Sequence, residues 1–258
     1  MADRARGWPV AKEGLPFCAA GAAAWAGAAA LGWTGLGAVL AASTVFTAWF
    51  FRNPVRTVPQ AANLVVSPGD GRVLAVVEED EPRFLKDRAI RVSIFLSPLN
   101  VHINRTPCEG TVTSVAHLPG KFLVASRPGA TLENEQTAVL IETDKGQRVL
   151  CVQVAGYVAR RIVTWLKPGE RVARGERYGL IRFGSRMDVY LPVSTEVKVA
   201  AGDRVQGGES VIGVLSGKID DHGKSGRPSG KEPSSGSGRA GDHGKSGRLG
   251  GRGAGRVK

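Results

Sequence analysis

Few residues of this chain could move a proton near neutral pH. The 258-residue sequence contains four histidines, and two of them, His222 and His243, lie in a Gly- and Ser-rich C-terminal stretch. The general bases to consider are therefore His102 and His117, since imidazole is the side chain that changes charge near pH 7. His102 lies between two prolines, which predicts a constrained loop after a strand, a common setting for catalytic groups. By position alone, a structural histidine explains it better.

Two further segments combine turn residues with side chains that could do chemistry. Asp70 lies in Ser67-Pro68-Gly69-Asp70-Gly71, which is typical of a turn in which Asp bonds its own backbone. Ser185 follows Gly184, and serine can act as a nucleophile when a base is nearby. A Gly-Ser pair recurs at Gly236-Ser237, so the pair alone is not distinctive. Only the combination of these segments with His102 indicates a catalytic site.

The elements that must position these residues are predicted to be strands. Residues 52–216 are predicted to form one globular domain, and residues 62–215 within it contain β-branched runs, many bounded by Gly, Pro, Asn and Asp, without a long segment of helical period. Many short strands predict a mostly β barrel or sandwich. Residues 169–175 and 202–208 share the order Gly, acid, Arg, Val, Gly, as in hammerhead hairpins of carrier domains, although two unrelated hairpins explain the match equally well. The predicted strands are 64–66, 73–77, 90–95, 111–115, 138–141, 149–154 and 189–191.

Residues 16–51, near the N-terminus, are almost uncharged and apolar. A short basic segment, 1–15, precedes two apolar runs within 16–51, which predict a helical hairpin in a membrane, either spanning it or dipping into one leaflet. A signal peptide is the competing interpretation, but the apolar stretch continues past any cleavage site. Arg52 and Arg56 follow the second run, so the positive-inside rule places both termini and the following domain on the cytoplasmic side of the cell membrane.

The charge distribution indicates a membrane partner and argues against nucleic acid. Half of the net charge of +12 lies on the low-complexity segment 217–258, which cannot bury a core and is predicted to be disordered. No aromatic residues interleave with its basic residues, so an anionic membrane surface is the better partner. The cysteines, Cys18, Cys108 and Cys151, form no CxxC pair, so neither a zinc site nor a disulfide framework is indicated.

The order of several segments resembles the phosphatidylserine decarboxylase family, especially its short bacterial and archaeal branch. The match runs from about Phe50 to Leu215. The segments that carry it are Phe50-Phe51-Arg52-Asn53-Pro54, Ser67-Pro68-Gly69-Asp70-Gly71, Phe95-Leu96-Ser97-Pro98 through His102 to Pro107, Pro119-Gly120-Lys121-Phe122, Glu133-Asn134-Glu135, and Ala159-Arg160-Arg161-Ile162 leading to Gly179-Leu180-Ile181-Arg182-Phe183-Gly184-Ser185.

The resemblance implies a carboxy-lyase that makes its own cofactor. Ser185 would attack the Gly184 carbonyl, and elimination and hydrolysis would leave a pyruvoyl group at position 185, with no metal required. The products would be a heterodimer of fragments 1–184 and 185–258. The pyruvoyl ketone would form a Schiff base with phosphatidylserine and withdraw electrons as carbon dioxide leaves, giving phosphatidylethanolamine.

His102 and Asp70 match family residues linked to cleavage and decarboxylation. The chain departs from longer members at one position, because Arg105 stands where they carry the second histidine of an H-x-x-H pattern. The resemblance therefore leaves two interpretations open. Either His102 serves both steps, or Asp70 and a water promote the cleavage.

Three alternatives remain from the sequence. A membrane-tethered biotin or lipoate carrier would present a lysine beside a methionine at a hairpin tip, whereas Asp188 follows Met187 here. A non-enzymatic tethered β-domain would use its basic tail to bind a partner. A decarboxylase of archaeal-type serine lipids would use the same headgroup chemistry. A homo-oligomer is left open in each case.

Overall fold

The computed structural model describes residues 9–123, 133–156, 161–181 and 185–217, and its architecture is mostly β, as predicted. A 3-10 helix, Lys12–Gly14, precedes two helices, α1 at Leu15–Ala30 and α2 at Thr34–Phe50. The strands are β1 (Leu64–Val66), β2 (Gly71–Glu81), β3 (Asp87–Leu96), β4 (Ile103–Arg105), β5 (Gly110–Leu118), β6 (Gln136–Glu142), β7 (Arg148–Ala155), β8 (Ile162–Thr164), β9 (Arg171–Val172), β10 (Arg177–Ile181), β11 (Ser185–Pro192), β12 (Glu196–Val197), β13 (Arg204–Val205) and β14 (Val211–Val214).

The two helices pack against each other as a hairpin. Gly21 lets them approach closely, because a Cβ at this position would collide with the Thr44 hydroxyl. The helices have 16 and 17 residues, and no helix in the described part of the chain is long and apolar enough to cross a membrane. At the base of the hairpin, Phe50 and Phe51 are buried against Ile103 and Leu180, which joins the helices to the β-domain.

The strands form one large curled antiparallel sheet and two small sheets. The large sheet has the order β13-β2-β3-β11-β7-β6-β5-β9, and the small ones are β1-β14-β12 and β4-β10-β8. All the predicted strands are present, although β2 and β3 are longer than the short strands expected. The main core lies on the inner face of the large sheet, where Val92, Ile94 and Met187 are fully buried. Each such side chain stabilises the fold by about 1.5–3 kcal/mol relative to exposure.

The weak sequence repeat is a structural repeat. Gly169 and Gly202 both have positive φ, +87° and +98°, which favours glycine. The Gly169 amide donates to the Val112 carbonyl, and the Gly202 amide donates to the Val73 carbonyl, both at 2.8 Å. The two segments thus form β9 and β13 in the same way, at opposite ends of the large sheet.

The structural repeat extends to the whole β-domain. One half contains β1–β3 and β11–β14, the other contains β4–β10, and each contributes four strands to the large sheet and one small sheet. The register shifts at corresponding places in β2 and β5, after Val73 and after Val112. Ile94 lies opposite Met187 in one half, as Ile141 lies opposite Val149 in the other. The second half is therefore inserted into the first between β3 and β11, and Ser185 begins the strand with which the chain re-enters the first half.

Candidate active site

Ser185 is the first residue of β11, at the centre of the large sheet. It lies opposite Leu96 of β3 on one side and Ala155 of β7 on the other. Because paired residues share a face, its side chain points to the inner face, where Leu96, Ala155 and Met187 belong to the main core. Ser185 is fully buried, and its Oγ has no hydrogen-bond partner among the described residues. Gly184 lies outside the described residues.

His102 is a buried neutral imidazole. Its Nδ1 lies 2.9 Å from the Asn100 carbonyl oxygen, which can only accept, so Nδ1 carries the proton and Nε2 holds a lone pair. The ring packs on Phe50 with 4.3 Å between centroids. The pKa of His102 is lowered to about 4, mainly by burial and to a smaller extent by the nearby Arg52 charge, while the hydrogen bond to the Asn100 carbonyl acts in the opposite direction. Nε2 is buried and has no hydrogen-bond partner within the described segments. The Nε2 lone pair of His102 is therefore available to accept a hydrogen bond or a proton.

Asp70 is held by donors on both carboxylate oxygens. Arg56 Nη2 donates to Oδ2 at 2.7 Å, and the Gly207 amide donates to Oδ1 at 2.8 Å. The other Arg56 nitrogen, Nη1, donates to Glu209 at 3.1 Å. A hydrogen bond donated by the Thr57 backbone amide, together with the Arg56 charge, lowers the pKa of Glu209. Arg56 thus joins two carboxylates and fixes the Asp70 side chain in one orientation.

The three residues singled out by the sequence converge on the end of β3. Leu96, the last residue of β3, lies opposite Ser185 and packs against Gly69, the neighbour of Asp70. From the loop after β3, Asn100 Nδ2 donates to the Asp70 backbone carbonyl at 3.1 Å, and the Asn100 carbonyl accepts the His102 Nδ1 proton. Asn100 therefore links Asp70 and His102. Within the described residues, no hydrogen bond joins Ser185 Oγ to His102 Nε2.

Arg105 and His117 have structural surroundings. Arg105 donates to the Gly175 and Pro54 carbonyls, both at 2.9 Å, so it ties the segment after α2 to the turn before β10. Burial lowers the pKa of Arg105 to about 10, with a further contribution from the Arg177 charge, which still leaves it cationic at neutral pH. The His117 side chain is half exposed on β5, with Nδ1 3.1 Å from the Thr137 hydroxyl. Neither residue is placed to act as a general base at Ser185.

Sequence reasoning missed the residues that hold Asp70. In the sequence, Arg56 is only a positive charge that flanks the apolar segment, and Gly207 is only part of a turn. Glu209 and Gly207 are more than 130 residues from Asp70, so no local pattern could reveal the contact. Among the described residues, no group of His, Cys, Asp or Glu could hold a metal ion, and Cys18, Cys108 and Cys151 are free thiols.

These features define a class of protein: an antiparallel β-sheet protein in which a buried serine hydroxyl, a neutral histidine and a fixed carboxylate lie around the end of one strand. The sequence model of the phosphatidylserine decarboxylase family matches residues 44–213, which is most of the β-domain and the end of α2. The chain belongs to the phosphatidylserine decarboxylase family, and it is a carboxy-lyase. This membership sets aside the carrier domain and the non-enzymatic β-domain.

Individual relatives agree with the family match. The chain is 52% identical over 206 residues to a phosphatidylserine decarboxylase proenzyme of Symbiobacterium thermophilum, covering 80% of this chain and 95% of the relative. It is 46% identical over 212 residues to the proenzyme of Geotalea uraniireducens, covering 82% and 99%. It is 48% identical over 213 residues to that of Geobacter sulfurreducens, covering 80% and 97%.

Proposed function

We propose that this protein cuts its own chain between Gly184 and Ser185 and then converts phosphatidylserine to phosphatidylethanolamine and carbon dioxide. The word proenzyme in the names of the relatives supports a self-processing step. The observation that carries the proposal is the buried Ser185 Oγ, which has no partner among the described residues although a hydroxyl can both donate and accept. Such a group fits a nucleophile that is consumed by the reaction.

Self-cleavage begins with the Ser185 hydroxyl. Oγ attacks the Gly184 carbonyl carbon while His102 Nε2 takes the hydroxyl proton, and the peptide bond then breaks to leave an ester and a free amine. Removal of the Cα proton expels the Gly184 carboxylate from the side chain of residue 185, and water then releases ammonia to leave a pyruvoyl group. We assign the base to His102, because both Asp70 oxygens already accept hydrogen bonds.

The pocket at position 185 fits the group that this reaction would create. A pyruvoyl group has a methyl carbon where Ser185 has CβH₂–OH, so the unsatisfied hydroxyl disappears while contacts with Leu96 and Ala155 remain apolar. When formed, the pyruvoyl ketone would supply an electron sink for the loss of the substrate carboxylate. His102 Nε2 would pass a proton from water to the substrate carbon, and Asp70 would orient His102 through Asn100.

The two fragments stay together because of their place in the sheet. After cleavage, β11 belongs to the fragment 185–258, but it pairs along its length with β3 and β7 of the fragment 1–184. Gly207 and Glu209 of the smaller fragment also bind Asp70 and Arg56 of the larger one. Separation would break two strand ladders at the centre of the sheet, so the mature enzyme is a stable heterodimer of its own fragments.

The helical hairpin is proposed to place the active site at an anionic cytoplasmic membrane surface. The two helices expose large apolar side chains, among them Leu31, Val39 and Val45, each more than 60% exposed. At the base of the hairpin, Phe50 packs on His102, so a lipid surface that covers the helices lies next to the base. Arg52 stacks on Trp49 at 3.9 Å at this level, where a cation can contact lipid phosphates.

The test is the fate of the Gly184–Ser185 bond. The wild-type protein is expected to run as two fragments whose intact masses match 1–184 and a pyruvoyl-started 185–258. Ser185→Ala should remain one chain without decarboxylase activity toward phosphatidylserine vesicles, and Ser93→Ala, at another buried serine of the sheet, should cut normally. An uncut wild-type chain that releases carbon dioxide would contradict the proposal.

A further inference from the structure

A second buried polar group lies beside Ser185 on the inner face of the sheet. Gln153 of β7 lies opposite Met187, two residues along from the Ser185–Ala155 pair, so Gln153 and Ser185 are diagonal neighbours on one face. Such neighbours have Cα atoms about 7–8 Å apart. Gln153 is fully buried and bonds Asn104 of β4 and Thr164 of β8. These three side chains connect the large sheet to one small sheet.

The partners of Gln153 fix which way each amide points. The Val163 carbonyl, 3.4 Å from Gln153 Nε2, can only accept, so the Gln153 nitrogen faces it and its oxygen accepts the Thr164 hydroxyl. Gln153 Nε2 also donates to Asn104 Oδ1 at 2.8 Å. Asn104 must therefore point its Nδ2 group away from Gln153. Asn104 is fully buried, and its Nδ2 has no hydrogen-bond partner among the described residues.

The buried polar groups without a hydrogen-bond partner in the described part of the chain include a hydroxyl on Ser185, an acceptor on His102 and a donor on Asn104. Acyl transfer from a peptide needs these three functions, namely a nucleophile, a base and a donor for the oxyanion. The carbon under attack is bonded to the Ser185 nitrogen, about 1.33 Å away, so the charge develops next to Ser185. Ser185 and His102 fill the first two roles. Asn104 Nδ2 is a buried donor without a partner among the described residues, and Asn104 is bonded to Gln153, the diagonal neighbour of Ser185, so it is the candidate for the third role.

We propose that Asn104 Nδ2 donates the hydrogen bond that stabilises the oxyanion formed when Ser185 Oγ attacks the Gly184 carbonyl. In this step the Oγ–C bond forms, the carbonyl π electrons move to oxygen, and the hydroxyl proton goes to His102 Nε2. When the oxyanion collapses, the C–N bond breaks and the proton goes to the leaving nitrogen. Gln153 holds Asn104 in the donating orientation. The inference rests on the proposed self-cleavage and assigns one further residue to it.

The experiment compares Asn104→Leu and Asn104→Asp with the wild type in a time course of cleavage on gels. The Asn104→Asp variant keeps the side-chain oxygen that accepts the hydrogen bond from Gln153, but it replaces the free N–H donor by a second oxygen, which can only accept. The Asn104→Leu variant removes both polar atoms. Loss of one oxyanion donor slows acyl transfer by about 10²–10³-fold, and this slowing is expected for both variants. Hydroxylamine, which cleaves esters, should release little additional fragment, because the block precedes the ester. Asn63→Asp, at a partly exposed asparagine whose Oδ1 accepts from Lys145, is the matched control and should cut at the wild-type rate.

Folding is checked separately by thermal unfolding of each Asn104 variant combined with Ser185→Ala, so that all chains are uncut. Wild-type cleavage rates in a folded Asn104→Leu protein would overturn the inference. Failure of both variants to fold would also overturn it, because Asn104 would then have a structural role. Neither result would refute the proposed self-cleavage, provided that the wild-type chain is still cut between Gly184 and Ser185. An uncut wild type would instead refute the proposed function itself.

Discussion

The burial of His102 predicts an unusual pH dependence of self-cleavage. An exposed imidazole has a pKa of about 6.5, and burial lowers the pKa of His102 to about 4. At pH 5.5 an ordinary histidine is only about one-tenth neutral, whereas a group with a pKa of about 4 is almost fully neutral. If His102 is the base, cleavage should stay near its maximal rate down to about pH 5. The rate should fall only as the pH approaches 4.

The same shift sets how far low pH destabilises the uncut protein. The folded pKa lies below the unfolded pKa, so between pH 6.5 and about 4 the unfolded chain binds a proton that the folded chain does not. The free energy of unfolding should therefore decrease as the pH falls through this window, by up to about 3 kcal/mol, and the loss should be absent in His102→Gln. The cleavage assay is limited to the pH range in which the uncut protein remains folded.

The assay uses proenzyme made in a short cell-free pulse, shifted to buffers between pH 8 and 4.5, and sampled on gels over time. Phe50→Leu is the informative variant, because Phe50 covers the His102 ring at 4.3 Å between centroids. Opening this contact to water should move the midpoint of the pH profile upward, toward 6.5. Phe46→Leu, at a half-exposed position of the same helix, should leave the profile unchanged. A wild-type midpoint near 6.5 would refute the assignment of a buried neutral base.

Two further predictions concern the division of labour and the tail. His102→Ala should slow cleavage and turnover by about 10²–10⁴-fold each, measured as fragment formation and as carbon dioxide per cut molecule, and His117→Ala should alter neither. Normal cleavage of His102→Ala together with an uncut Asp70→Asn would assign maturation to Asp70 instead. Truncation after Ser216 should leave cleavage intact but weaken salt-sensitive binding to anionic vesicles, and an uncut truncated chain would show that the tail supports the fold.

The sequence predicted seven strands that carry β-branched runs. It missed other strands of the described chain, among them β8 and β14, which are short β-branched runs, and β9 and β13, which depend on their partners. Strands such as 90–95 and 149–154 have continuous apolar composition, and they form β3 and β7 at the centre of the sheet. β9 and β13 have two residues each and contain an exposed arginine, so their strand character comes from pairing with β5 and β2. Composition does not encode such contacts, and only the Gly-acid-Arg-Val-Gly repeat indicated them.

The candidate site divides in the same way. The family resemblance, more than residue type or position, indicates Ser185, His102 and Asp70, and all three lie around the end of β3. The lone pair of His102 and the free donor of Asn104 could not be predicted. Both depend on which carbonyl a side chain faces, and this is decided by packing between sheets.

The position of the proposed cut follows from the way in which the two structural halves are joined. In the second half, β6 and β7 are joined by a tight turn, where the Thr143 amide bonds the Gln147 carbonyl at 2.9 Å. At the corresponding place in the first half, between Leu96 and Ser185, the whole second half is inserted. A break at the return of this insertion removes one covalent link, while Ser185 stays paired with Leu96 and Ala155. The fold can therefore lose this peptide bond without losing a strand ladder. If a tight β-turn joined β3 directly to β11, the segment that carries His102 and Asn104 would be absent, and no base or hydrogen-bond donor could approach Ser185.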